Sequence, residues 1–221
     1  MADRAKDIPV AKEGIPFIAI SGLLTLGIWT MGGVWSTYLL GAFTLFTAWF
    51  FRNPARTIPP GENLIVSPGD GTVVAVESDF EHRYLKEQSV RISIFLNVFD
   101  VHINRMPVAG IVQDVVYQPG KFMMANQPEA SSGNEQNALM LRRSDGVKIL
   151  CVQIAGLVAR RIVSWVVPGE QVEKGERFGL IRFGSRMDVY LPQSSTIRVQ
   201  VGSKVKGGSS ILAEVPCAEP S

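Results

Sequence analysis

The sequence predicts a mainly β fold, a compact β-sandwich or barrel-sandwich-like domain, preceded by an N-terminal apolar helical hairpin. Three observations carry this. Ile15 through Phe51 contains no charged side chain, whereas the rest of the 221-residue chain is an ordinary soluble mixture. From Leu64 onward, short runs rich in β-branched residues alternate with Gly, Pro and Asp turns, the pattern of strands separated by tight turns. No helical periodicity of any length interrupts that second region.

The elements follow in chain order. Residues 1–14 form a polar segment with Arg4, Lys6 and Lys12. Residues 15–51 exceed the roughly 20 apolar residues that span a bilayer as a helix. Met31-Gly32-Gly33 interrupts them, which predicts two segments near 17–31 and 34–51. Basic residues flank both ends, Arg52 and Arg56 following the segment. The positive-inside rule then places both flanks on the cytoplasmic face of the cell membrane, with a hairpin dipping into the bilayer. Trp29, Trp35, Tyr38 and Trp49 suit its interfaces, and Arg52 and Arg56 would favour anionic lipid. A cleaved signal peptide fits poorly, because the apolar run is too long and no A-x-A-like site follows. A buried hairpin of a soluble protein would normally carry a polar face.

Residues 52–63, with three prolines and a glycine, read as a linker. Residues 64–221 form the β-rich domain, with strands expected at 72–76, 89–96, 147–154, 160–167 and 196–201. "DFEHRYLKEQ" (79–88) reads as one helical turn or a loop. The polar stretch 120–146 reads as the longest non-strand region, either a binding loop or a mobile excursion. "SPGDGTVVAV" (67–76) and "VPGEQVEKGERFGLI" (167–181) share a Gly-acid turn followed by valines, in the manner of biotinyl and lipoyl carrier domains. No Lys sits at a matching tip, since Lys174 lies before Gly175 in a charged turn. A membrane-tethered, non-catalytic carrier or adaptor is therefore the alternative reading.

The chemistry-bearing residues are few. A net charge of +2 without a Lys/Arg run argues against nucleic acid as a partner. Cys151 and Cys217 form no metal-ligand spacing or disulfide framework, so no metal is expected. G-x-G-x-x-G, Walker A, H-E-x-x-H, C-x-x-C and G-x-S-x-G are all absent. An enzyme built from this chain would have to make its reactive group from the chain itself. Of two histidines, His82 lies among charges and reads as a solvated residue. His102, after an apolar strand, is structural or catalytic, and Asp70 in "SPGDGT" is by default a turn aspartate. "KVKGGSSILAEV" (204–215) reads as a turn between strands, with a second reading beside it. The Ser209 hydroxyl can attack the Gly208 carbonyl, and β-elimination from the resulting ester would leave a pyruvoyl group on the new N-terminus.

Several stretches together favour that second reading. "FFRNPART", "SPGDGTVV", "NVFDVHINRMPVAG", "GERFGLIRFGSRMDVYLP" and "VKGGSSILAE" occur in this order over nearly the whole chain. In these motifs the sequence resembles the short, bacterial or archaeal-type form of phosphatidylserine decarboxylase. The resemblance implies self-cleavage between Gly208 and Ser209 into a β chain, 1–208, and an α chain, 209–221, which stay together as a heterodimer. It implies a pyruvoyl cofactor derived from Ser209, which forms a Schiff base with membrane phosphatidylserine and yields phosphatidylethanolamine and CO2. His102 matches a histidine assigned to decarboxylation, and Asp70 matches an aspartate implicated in self-cleavage. Longer members carry a second histidine three residues after the first, where this chain has Arg105. That leaves His102 serving both steps, or Asp70 working with another group. Arg182 and Arg186 are candidates for the headgroup phosphate or carboxylate, with structural ion pairs as the competing reading. A pyruvoyl decarboxylase of a soluble amino acid would leave the apolar segment without a purpose.

Overall fold

The structure, a computed structural model, describes residues 9–121, 123, 133–156, 162–182 and 184–217. The chain divides into two compact units, one ending at Ala55 and the other beginning at Arg56.

The first unit is a helical hairpin. A single 3-10 turn at Lys12–Gly14 leads into α1 (Ile15–Thr30), and α2 (Val34–Phe50) returns. Pro16 sits in the first turn of α1, where an N–H would have no helical partner in any case. The break comes at Met31–Gly33: Gly32 adopts φ +79°, and the Gly33 N–H folds back onto the Ile28 carbonyl at 3.2 Å. Ser21, Thr25 and Thr44 return their hydroxyls to carbonyls one turn earlier, and Thr25 meets Thr44 across the helices at 3.3 Å. Few polar groups are therefore left to be solvated. The outer surface is apolar, with Leu23 70% and Trp35 85% exposed. Lys12–Thr30 is long and apolar enough to cross a membrane by length and composition, whereas α2 is shorter.

The second unit is a curled β structure. Its strands are β1 (Leu64–Val66), β2 (Gly71–Glu81), β3 (Glu87–Leu96), β4 (Ile103–Arg105), β5 (Gly110–Gln118), β6 (Gln136–Arg142) and β7 (Lys148–Ile154). They continue as β8 (Ile162–Ser164), β9 (Gln171–Val172), β10 (Arg177–Ile181), β11 (Ser185–Pro192), β12 (Thr196–Ile197), β13 (Lys204–Val205) and β14 (Ile211–Glu214). Eight strands form an antiparallel sheet in the order β13-β2-β3-β11-β7-β6-β5-β9. Two three-stranded sheets, β1-β14-β12 and β4-β10-β8, complete the unit. Register shifts in β2 at Val73/Ala75 and in β5 at Val112/Asp114 bend the large sheet. Ile92, Ile94, Leu139, Leu141, Phe178, Met187, Val189 and Leu212 fill the core enclosed by the sheets. Cys151 lies there too, and burial pushes its thiol above the ordinary range, so it behaves as a small apolar residue.

Two local expectations are corrected. Residues 79–88 contain no helical turn: β2 runs to Glu81, β3 resumes at Glu87, and the tip between them is pinned by one carboxylate. Glu81 accepts the backbone N–H groups of Arg83, Tyr84 and Leu85 at 2.6–2.9 Å. The 120–146 stretch is not wholly strandless, because its latter part is β6, in the sheet between β5 and β7. Its polar composition hid this. Asn137 donates to Gln153, which in turn donates to Asn104, so amides buried in the strand are satisfied side chain to side chain. Residues 122 and 124–132 of that stretch lie outside the described residues, as do 160 and 161 of the strand expected at 160–167. Within the expected 196–201 strand, only Thr196–Ile197 is strand, and the Arg198 N–H beyond it still donates to the Leu212 carbonyl at 2.8 Å.

Alternate residues of β11 point to opposite faces. Met187, Val189 and Leu191 enter the core, while Arg186, Asp188 and Tyr190 face a smaller cluster with Leu150, Val152 and Ile154. Burial, reinforced by the Asp188 charge, pushes the Tyr190 phenol from 10.0 up to about 12, with Arg91 opposing the shift. Between these values the unfolded chain binds fewer protons than the folded one. The contribution of Tyr190 is thus complete below pH 10 and is lost as pH rises through 12. Urea unfolding across that window should show a decline about 2–3 kcal/mol larger for the wild type than for Tyr190→Phe.

Candidate active site

The Gly-Ser turn is not a hairpin. β13 before it pairs with β2 of the large sheet, while β14 after it pairs with β1 and β12 of another. Residues 206–210 therefore bridge two sheets. The Ser209 and Ser210 N–H groups both return to the Lys206 carbonyl, at 3.0 and 2.9 Å, and the Lys206 N–H donates to Ser210 Oγ at 2.9 Å. Gly208 occupies the third position of this turn with φ +78°, a conformation open to glycine at little cost. Space demands glycine as well. A Cβ there would stand 2.9 Å from Arg105 Cδ and 3.1 Å from Ile58 Cδ1.

The segment after β1 clasps this turn from the other side. Gly208 N–H donates to the Ser67 carbonyl at 2.7 Å, and Ser67 N–H donates to the Ser210 carbonyl at 2.8 Å. Ser67 Oγ turns inward onto the Gly69 carbonyl at 2.6 Å, which fixes the bend leading to Asp70. Asp70 Oδ1 then accepts the Gly207 N–H at 2.8 Å. Arg56 holds the same carboxylate, with Nη2 2.9 Å from Oδ1 and 2.7 Å from Oδ2. The pair is nearly enclosed, the side chains being 9% and 15% exposed. Gly207 lies so close to Gly69 that a Cβ on it would be 3.2 Å from the Gly69 backbone. "SPGDG" and "KGGSS", far apart in sequence, are thus one structural unit.

β4 approaches from a third direction. Arg105 N–H donates to the Pro68 carbonyl at 2.8 Å, and its guanidinium donates to the Gly175 carbonyl at 3.0 Å, which lays its side chain along Gly208. A guanidinium donates hydrogen bonds and accepts none, so Arg105 can polarise a carbonyl but cannot remove a proton. His102, 2% exposed, precedes β4, and its carbonyl accepts the Ile181 N–H at 3.3 Å. Its Nδ1 lies 2.9 Å from the Asp100 carbonyl, which can only accept. Nδ1 therefore carries a proton directed at that carbonyl.

The other sequence candidates lie elsewhere. His82 belongs to the β2–β3 tip, with its ring 4.7 Å from that of Phe80. Arg186 is buried beside Asp188, with Nε 2.9 Å from Oδ1 and Nη2 donating to Oδ2 at 3.0 Å. Arg182 directly follows β10, one residue beyond the Ile181 bonded to His102. Arg56, expected to meet lipid, is instead committed to Asp70, while Arg52 lies over the Trp49 ring at 3.8 Å. The roles of Arg56, Ser67 and Ile58 were not legible in the sequence. The recurrence of small residues in both "SPGDG" and "KGGSS" was the available sign that two backbones approach closely. Among the described residues no cluster of His, Cys, Asp or Glu could hold a metal ion.

This geometry defines a class: a β-rich protein that carries an apolar helical hairpin and holds the constrained Gly208-Ser209 peptide beside a carboxylate. A family model described as phosphatidylserine decarboxylase matches residues 43–213. The phosphatidylserine decarboxylase proenzyme of Syntrophus aciditrophicus (strain SB) is 52% identical over 204 residues, covering 92% of this chain and 96% of that one. The proenzyme of the same name from Geotalea uraniireducens (strain Rf4) is 47% identical over 217 residues, covering 96% and 100%. That of Burkholderia pseudomallei (strain K96243) is 46% identical over 207 residues, covering 94% and 95%. The chain belongs to the phosphatidylserine decarboxylase family and is an enzyme of the carboxy-lyase class. The carrier reading is not favoured, and Lys174, in the charged turn before Gly175, donates its ammonium to the Gly61 carbonyl.

Proposed function

We propose that the chain cuts itself between Gly208 and Ser209, and that the enzyme so formed decarboxylates phosphatidylserine in the membrane to phosphatidylethanolamine and CO2. The observation that carries this reading is the clamp on one peptide. Gly208 sits at positive φ with its own N–H on the Ser67 carbonyl and the Ser209 N–H on the Lys206 carbonyl, and Asp70 fixes the Gly207 N–H immediately before it. The Ser209 hydroxyl attacks the Gly208 carbonyl carbon, the C–N bond breaks, and the amine takes up the proton. Loss of the Ser209 Cα proton then expels the Gly208 carboxylate and leaves a dehydroalanine. Its imine tautomer takes up water and releases ammonia, leaving a pyruvoyl group at the head of residues 209–221.

A ketone formed there supplies an electrophile that condenses with the substrate amine and takes up the electrons released with CO2. The surrounding residues fit its formation. Glycine before the serine keeps the attacked carbonyl free of a Cβ, and Arg105 supplies a fixed positive charge beside it. His102, as a general acid, returns the proton to the carbon that has lost CO2. Arg182 and Arg186 are the headgroup candidates, and in Arg186 the guanidinium is at the same time ion-paired with Asp188. The apolar hairpin anchors the enzyme to the cytoplasmic face of the cell membrane, where the acyl chains of the substrate stay in the bilayer. The product is a complex of the two fragments of one chain.

Intact mass tests the cut. Two polypeptides are expected, 1–208 and 209–221, the shorter one blocked at its N-terminus and lighter by one ammonia than a serine-headed peptide. A single chain of 24.2 kDa in an active preparation would overturn the proposal. Gly208→Ala should slow the cut about tenfold or more, since a side chain at positive φ costs roughly 1–2 kcal/mol before the contact with Arg105 is counted. A time course of the uncut fraction measures this.

A further inference from the structure

The structure assigns Arg56 the role of a positioning residue for the cut, acting through Asp70; this rests on the proposed cleavage at Gly208-Ser209. In the uncut chain neither carboxylate oxygen of Asp70 is idle. Oδ1 takes the Gly207 N–H together with Arg56, and Oδ2 takes Arg56 again. A carboxylate engaged in this way is an anchor before it is a base. It fixes the peptide plane that precedes Gly208, and its own orientation is fixed by the guanidinium. Charge-assisted bonds of this kind are short and directional, and the near-complete enclosure of both side chains protects them from screening.

The same short segment supplies a second contact. Two residues beyond Arg56, Ile58 lies against both Gly208 and Gly175, and a Cβ on Gly175 would fall 2.3 Å from Ile58 Cδ1. Residues 56–58 therefore strap the turn from outside while Ser67 holds it from inside. Without the guanidinium, the Asp70 carboxylate can rotate towards water, and the Gly207 peptide loses its fixed partner. A misplacement of about 1 Å at the reacting peptide is enough to cost a large factor in rate.

The test follows the cutting rate of newly made full-length chain in the presence of phosphatidylserine vesicles, using gels and intact mass. Arg56→Met should slow the cut about tenfold or more. Arg56→Lys, which keeps the charge but loses the fork, should fall between Met and wild type. Turnover per cut chain should fall less than the cutting rate does. The double variant Arg56→Met/Asp70→Asn should cut no more slowly than Asp70→Asn alone, a non-additivity that a generally weakened fold would not produce. Cutting at the wild-type rate in Arg56→Met, or additive losses in the double variant, would overturn the assignment. If the Met variant does not fold, the Lys variant decides by the same comparison. A wild-type chain that never cuts removes the cleavage reading itself, whereas a cutting wild type beside an equally fast Arg56→Met removes this inference alone.

Discussion

Ser209→Ala is expected to remain one uncut chain and to release no CO2 from phosphatidylserine. The substitution removes the only atom able to attack the Gly208 carbonyl from the following residue, and with it the carbon–oxygen bond whose elimination would create the ketone. Little else changes. The Ser209 contact to Lys206 is made by the backbone N–H, which alanine keeps, and Gly208 retains its bond to Ser67. Stability should stay within about 0.5 kcal/mol of the wild type, as for half-exposed positions outside a core. Loss of activity can then be assigned to chemistry. Denaturing gels, intact mass and CO2 release decide the matter together. Activity in an uncut variant would rule out Ser209 as the source of the electrophile.

His102→Ala is expected to cut normally and to lose decarboxylation by about 10²–10⁴, the usual contribution of a positioned acid or base. The side chain is almost fully enclosed and its Nδ1–H is committed to the Asp100 carbonyl, so the ring is held in one orientation. Alanine also leaves the Asp100 carbonyl without that donor, so folding of the variant should be checked by thermal melting before rates are compared. Normal turnover in a correctly cut variant would remove His102 from the reaction. An uncut but folded variant would instead give His102 both steps, the option opened by Arg105 standing where longer relatives of the resembled family have a second histidine. The guanidinium chemistry of Arg105 excludes that residue as a base in either outcome.

Much of the architecture was legible because it depends on periodicity. The uncharged run 15–51, broken at Met31–Gly33, announced two helices, and the structure places them at Ile15–Thr30 and Val34–Phe50. Alternating β-branched runs announced β2, β3 and β7. The failures share one cause. β6 carries Gln136 and Asn137 into the sheet, and only partners from other strands make that burial tolerable. The turn at 82–85 depends on Glu81, whose side chain replaces the hydrogen bonds a helix would have supplied.

By itself the sequence singled out groups capable of reactive chemistry: the Gly-Ser peptide in "KGGSS", two histidines, and an aspartate in a glycine-rich turn, all after an uncharged apolar run. Those are properties of composition and local order, readable without coordinates. Only the tertiary structure decided which of them meet. It set Asp70 on Gly207 across 137 residues, turned Arg56 from an expected lipid contact into the partner of that carboxylate, and laid Arg105 along Gly208. The physical reason is that hydrogen bonds and ion pairs act over about 3 Å. Which groups come that close is decided by strand pairing between distant segments, which no local pattern encodes.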